Sequence, residues 1–247
     1  MFRAVIHTIL VGVCLAALAI AASKLVAAED RAQTRFTPPP GEETAEIKAR
    51  IDAARAALAT GKTSSDLLTD PGFMAAHEWP RFRQLIREHP ASERLRLVTA
   101  QEPGEKLVVN GKVLDANGSK IAGALIYVYH TSARGWYSGR AAHFAAHEGD
   151  RKHARLFGYL TTGTDGTFEI ETIRPAGYPD SNLPAHIHIE IQRAGNPGWW
   201  TSEIRFDDDP RMTAQARQQS VREGFVICPV RRDADGTWRI NPEPRLR

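Results

Sequence analysis

From Lys106 onward the chain is written in short apolar-alternating segments, each closed by a turn of glycine, asparagine or aspartate. That rhythm leaves few folds open. "KLVVNGKVL" runs into the turn "DANG", and "SKIAGALIYVYHT" follows. In "GTDGTFEIETI", Phe168 and Ile170 alternate with Glu169 and Glu171 behind a "TDG" turn. "AHIHIEI", "TSEIRF", "EGFVICPVRR" and "GTWRI" come next, the last two separated by "DADG". A period of two sends one side of each segment into a core and the other outward. Many short strands with such turns predict a mainly β fold, an antiparallel β-sandwich over residues 99–247.

Ahead of the strands the periodicity is helical. "EETAEIKARIDAARAALATG" spaces apolar residues at helical intervals and stops at Gly61. "DPGFMAAHEWPRFRQLIREHP" reads as a helical pair around Pro80, ended by Pro90. Residues 42–98 are therefore expected to form a helical segment that packs on the main domain or on a second subunit, which leaves a homodimer through these helices open. No catalytic constellation is visible in it. Residues 29–41 are polar, end in "PPPG", and read as a linker.

Residues 1–28 read as a secretory signal peptide. Arg3 precedes an uncharged apolar run from Ile9 to Ala22, and small residues Val26 and Ala28 stand before Glu29. The run rises only about 21 Å as a helix against a bilayer core of about 30 Å. The expected location is secreted or periplasmic, with membrane contact only if the signal stays uncleaved as an anchor. Cleavage removes Cys14 and leaves Cys228, so no internal disulfide can form. Cys228 sits in apolar "FVICPV" and reads as a buried, inert thiol. The net charge of +3 is spread among interleaved acids and bases, so nucleic acid is not expected as a partner.

The chemistry concentrates in "RPAGYPDSNLPAHIHIEI". On a strand, His186, His188 and Glu190 share one face, while Ile187, Ile189 and Ile191 share the other. The two histidine Cα atoms are then about 6.7 Å apart, close enough for both rings to reach one ion. A bare His-x-His is a weak signal, but its neighbours strengthen it. The turn "TIRPAGYPD" presents Tyr178, and "YHTSARGWYSG" presents Tyr137 beyond a strand end. A phenol normally ionises near pH 10, and a strongly charged cation can deprotonate it. The resulting phenolate is a hard anionic oxygen that favours a high-charge ion such as Fe(III).

Residues 100 to 212 resemble the intradiol ring-cleavage dioxygenases, the family of catechol 1,2- and protocatechuate 3,4-dioxygenases. The resemblance is carried in order by "EPGEKLVVNGKVLDANGSKIAGALIYVY", "TDGTFEIETIRPAGYP", "PAHIHIEI" and "SEIRFDDDP". It implies a mononuclear non-haem Fe(III) held by Tyr137, Tyr178, His186 and His188. Tyr137 would be the retained tyrosinate and Tyr178 the one that leaves when substrate binds, both catalytic in that sense. The implied substrates are a catecholic small molecule and O2, and the implied product is a muconate-type diacid. One departure stands out: the family's arginine before "PAHIH" is Leu183 here, and the loop to His186 is shorter. Arg174, Arg140 or Arg205 are the cations that could replace it. The rival is a non-catalytic transthyretin-like or carboxypeptidase-regulatory-like sandwich, which shares the strand motifs but not the two tyrosines and two histidines.

Other groups invite weaker readings. His143, His147, Glu148 and His153 lie in "HFAAHEGDRKH", expected to be a loop. This loop, with Arg140, Arg151, Lys152 and Arg155, is expected to border a substrate mouth and to favour a negatively charged or polymer-attached catechol. Trp199 and Trp200 read as hairpin packing, and Asp207 to Asp209 as a turn. Glu190 reads either as an orienting partner for a ligand or as a solvated glutamate.

Overall fold

The computed structural model describes residues 42–137 and 154–246. The predicted signal peptide and linker lie outside them, as do His143, His147, Glu148, His153, Arg140, Arg151 and Lys152. Two sheets face each other across an apolar core. One has six strands in the order β1 (Ala91–Ser92), β6 (Leu156–Thr161), β5 (Leu125–His130), β8 (His186–Gln192), β9 (Trp199–Phe206) and β10 (Val226–Cys228). The other has five, in the order β11 (Arg231–Arg232), β12 (Trp238–Ile240), β3 (Lys106–Lys112), β7 (Thr167–Ile173) and β2 (Arg94–Arg96). β4 (Leu114–Asp115) and β13 (Arg245–Leu246) form a small third pair.

The interior pairs β3–β7, β5–β6, β5–β8 and β8–β9 are antiparallel, as expected. The edges differ from the expectation, because β1, β2, β10 and β12 join their neighbours in parallel. A parallel neighbour needs a crossover rather than a tight turn. Between β9 and β10 that crossover is the helix Ala214–Glu223, α4 below.

Alternation sorts the side chains as predicted. Ile126 and Val128 of β5 lie opposite Ile191 and Ile189 of β8 on the inner face. Across the core they meet the second sheet's buried Leu107, Val109 and Ile170. Within the second sheet, a Cβ at Gly111 would lie 2.1 Å from the ring of its ladder partner Phe168, so the ring occupies the space glycine leaves. His130 also points inward. Its Nε2 lies 2.7 Å from Thr172 Oγ1 and its Nδ1 2.7 Å from the Thr131 carbonyl, a polar bridge between the sheets.

The helices are α1 (Ala45–Ala59), α2 (Ser64–Thr69), a 3-10 turn (Pro71–Ala76) and α3 (Pro80–Glu88). Thr44 caps α1, and Thr63 with Asp66 forms a capping box on α2. The helical expectation for residues 42–98 overshoots at its end. Pro90 stops the chain, and "RLRL" from Arg94 to Leu97 is a strand pattern, with Leu95 and Leu97 buried between exposed arginines. Glu93, at φ 60°, turns the chain from one sheet to the other. Among the described residues no helix is long and apolar enough to cross a membrane.

α3 packs on the outer face of the six-stranded sheet over β6, while α2 packs against β2 of the other sheet; with α1 they bring Ile51, Leu67, Phe82, Leu85 and Ile86 into the core. Arg83 is the polar anchor. Its guanidinium lies 3.7 Å from the centre of the Phe157 ring and donates to the carbonyls of His77 (3.2 Å) and Ala154 (2.9 Å) and to the Tyr127 hydroxyl. Trp199 packs beside them, with Arg87 over its ring at 5.5 Å. Cys228 is buried, and burial pushes its thiol up to about 12, so it is inert at neutral pH.

Two buried histidines make the fold acid-sensitive. Burial pushes both His77 and His130 down to about 4. Each is neutral when folded and takes a proton near pH 6.5 when unfolded. Their contribution is complete above pH 6.5 and is lost as pH falls toward 4, by roughly 3 kcal/mol apiece. Urea midpoints of metal-stripped protein are expected to fall steadily from pH 7 to pH 4. A flat profile would count against both assignments.

Candidate metal centre

His186 opens β8, and His188 follows on the same outer face of the sheet. Their Nε2 atoms lie 3.1 Å apart. His186 Nδ1 sits 2.8 Å from the Pro184 carbonyl, which can only accept, so the ring proton is on Nδ1 and Nε2 presents its lone pair. The His188 ring stacks on Tyr129, its neighbour across the ladder, at 4.5 Å and 12°.

Both predicted tyrosines converge on these nitrogens. The Tyr178 hydroxyl is 3.0 Å from His186 Nε2 and 3.4 Å from His188 Nε2. The Tyr137 hydroxyl is 2.8 Å from His188 Nε2 and 2.5 Å from the Tyr178 hydroxyl. Tyr137, Tyr178 and His186 are buried and His188 is half-buried. Two atoms ligating one ion at about 2.0–2.1 Å, 90–109° apart, are separated by about 2.8–3.4 Å. The five measured separations, 2.5–3.4 Å, have that scale. The four side chains therefore fit a single metal ion with two nitrogen and two oxygen ligands.

Two loops deliver the phenols, and they are stitched together. The Ala176 N–H donates to the Ser132 carbonyl at 3.1 Å, and Thr131 Oγ1 donates to the Ala176 carbonyl at 2.6 Å. Gly135, at φ 81°, lets the backbones touch: a Cβ there would lie 2.4 Å from the Gly177 carbonyl oxygen. The Arg155 N–H donates to the Tyr137 carbonyl at 2.7 Å. The acidic run is a turn, as expected, and it holds the other side of the site. Asp209 accepts from the N–H groups of Ala185 (3.0 Å) and Arg211 (2.7 Å), and Arg211 donates to the Tyr178 carbonyl at 2.9 Å.

Leu183 is 43% exposed and brings no charge. Of its candidate replacements, Arg174 pairs with Asp208 and lies against Phe206 and Trp238. Arg205 stands directly across the ladder from His186, on the histidine face. Arg155, expected at a substrate mouth, is held in a two-point ion pair with Glu102.

Glu190 is buried rather than solvated, and sits across from Tyr127. Burial first, then neighbouring charges including Glu190, hold the phenols of Tyr127 and Tyr129 well above their usual range. Those two stay protonated at neutral pH.

One residue escaped the sequence reading. Glu203 lies across from His188, and a carboxylate oxygen of Glu203 and ring nitrogens of His186 and His188 lie within 4.8 Å of one another. The available signal was the alternation of Glu203 and Arg205 in "TSEIRF", but their placement beside the histidines needs the β8–β9 register.

A β-sandwich presenting two imidazoles and two phenols at one-ion spacing defines a mononuclear metal-binding class of protein. Comparison with known proteins narrows the class. The profile of a family described as Dioxygenase matches residues 78–241. Chlorocatechol 1,2-dioxygenase of Rhodococcus opacus is 30% identical over 188 residues, 67% of this chain and 68% of the relative. Catechol 1,2-dioxygenase 1 of Acinetobacter lwoffii is 27% identical over 156 residues, and the match spans 57% of this chain and about half, 48%, of that relative. The crystal structure of catechol 1,2-dioxygenase from Pseudomonas arvilla C-1 shares the fold, with TM-score 0.50 and 23% identity over 64% of this chain and 57% of that one. The chain belongs to the intradiol ring-cleavage dioxygenase family, and the transthyretin-like alternative is not favoured.

The loop contact generates a test. Gly135→Ala forces the two tyrosine loops apart and should weaken metal binding about tenfold or more. Gly195→Ala, also at positive φ but with open space around it, should leave metal affinity unchanged. Equilibrium dialysis followed by metal analysis reads both.

Proposed function

We propose that this protein cleaves a catecholic ring between its two hydroxylated carbons with O2, giving a muconate-type diacid, at a mononuclear non-haem Fe(III). The observation that carries the reading is the convergence of two phenol oxygens and two imidazole nitrogens at 2.5–3.4 Å. Hard phenolate oxygens favour a trivalent ion, and neutral imidazoles complete the set without further charge. When bound, Fe(III) supplies Lewis acidity and a template for a substrate held through both oxygens.

The chain's own residues divide the remaining work. His186 and His188 hold position: the first is fixed by its Pro184 hydrogen bond, the second by stacking on Tyr129. Tyr137 would be the retained ligand, as the family resemblance implies; its carbonyl accepts from the Arg155 N–H just ahead of β6. Tyr178 is the ligand that accepts a substrate proton, and its loop continues into exposed Leu183. Leu183 presents an apolar surface where the resemblance implies an arginine, which suits a catechol without an acidic substituent. The names of the relatives, catechol and chlorocatechol 1,2-dioxygenase, support that substrate class. Residues 1–28 support an exported location for the reaction.

Anaerobic titration of the iron-loaded protein with catechol tests the proposal. The visible phenolate-to-iron band should shift on binding, and admitted O2 should be consumed one for one with diacid formed. Tyr178→Phe should weaken the band and slow turnover at least 100-fold, the scale of losing a proton acceptor. An unchanged spectrum and rate in that variant would remove Tyr178 from the mechanism.

A further inference from the structure

Glu203 stands outside the four predicted ligands, yet the fold prepares it as carefully as any of them. It is across the ladder from His188 and on the same face. Its carboxylate lies within 4.8 Å of ring nitrogens of both histidines. The side chain is clamped: Arg205 Nε and Nη2 both donate to Oε2, at 2.8 and 2.6 Å. Arg205 is itself buried, donates through Nη1 to Ser220 Oγ at 2.8 Å, and lies 4.4 Å from the Phe225 ring centre. Ser220 belongs to α4, so the carboxylate is braced through Arg205 from that helix. Both Arg205 bonds go to Oε2, and among the described residues no hydrogen bond falls on Oε1. A carboxylate oriented by an outer guanidinium beside two imidazoles holds a fixed negative charge close to any cation the imidazoles bind.

We propose that Glu203 is a fifth metal-facing group of this centre, a positioning and charge-setting carboxylate that tunes the Lewis acidity of the bound ion. The proposal rests on the reading that the centre holds iron. With Tyr137 and Tyr178 ionised and Glu203 anionic, the chain directs three negative charges at a trivalent ion, and Arg205 offsets one of them. The bound ion is then a weaker electron acceptor than one held by the two tyrosines and two histidines alone.

Glu203→Gln keeps the shape of the side chain and removes its charge. In the full chain loaded with Fe(III), the phenolate-to-iron band should move to longer wavelength, because a more acidic ion lowers the charge-transfer energy. Iron loss to a chelator should accelerate about tenfold or more. Glu203→Asp keeps the charge and draws it back, so its shifts should be smaller, and it serves if the glutamine variant does not fold by circular dichroism. A wild-type band that neither substitution moves, with iron loss unchanged, overturns the proposal and leaves the ferric reading intact. A wild-type chain with no such band overturns the ferric reading instead. Co(II) titration of the same proteins then decides Glu203: weaker binding in Glu203→Gln supports it, and equal binding overturns it.

Discussion

The register of β8 between β5 and β9 is the constraint on which the rest of the site depends. It places His188 against Tyr129 on one side and Glu203 on the other, and His186 against Arg205. Side chains alternate along a strand, so a slip of one residue would turn both histidines into the core and the isoleucines out. Burial of Ile187, Ile189 and Ile191 forbids that slip. The hydrophobic effect on one face of β8 thus holds the chemistry on the other.

The outer face of this sheet is also where the helices earn their place. Arg83 reaches from α3 to the Tyr127 hydroxyl. Tyr127 stacks on Tyr129 at 5.1 Å, and Tyr129 on His188 at 4.5 Å. Ring by ring, the position of His188 is connected to the helical segment. The family match begins at residue 78, ahead of α3, so this support lies within the shared region.

Charge around the centre follows a different plan from the one the family resemblance implies. Leu183 contributes no cation, and Arg174 is engaged with Asp208. Arg205 reaches the histidine face but arrives already paired with Glu203. Among the described residues, the charges beside the histidines include an oriented ion pair with its negative end within 4.8 Å of them. A negative end so placed favours a cation between the two histidines.

Much of this was legible in the residues alone. Alternation in "AHIHIEI" and "GTFEIETI" assigns faces without any partner strand, because the period of two is a local property of extended backbone. The motif order around Tyr137, Tyr178, His186 and His188 was enough to name the family and the four side chains. What the residues could not show depends on pairings between distant segments. The switch from helix to strand at Arg94 needed the sheets that capture it, since "RLRL" is too short to declare itself. Glu190 read equally as an orienting partner or a solvated glutamate until the fold showed it buried opposite Tyr127. Glu203 and Arg205 became part of the centre only through the β8–β9 ladder. Local sequence determined which side chains face which way; the tertiary structure decided which of those faces meet, because register, loop contact and burial are set by partners far away in the chain.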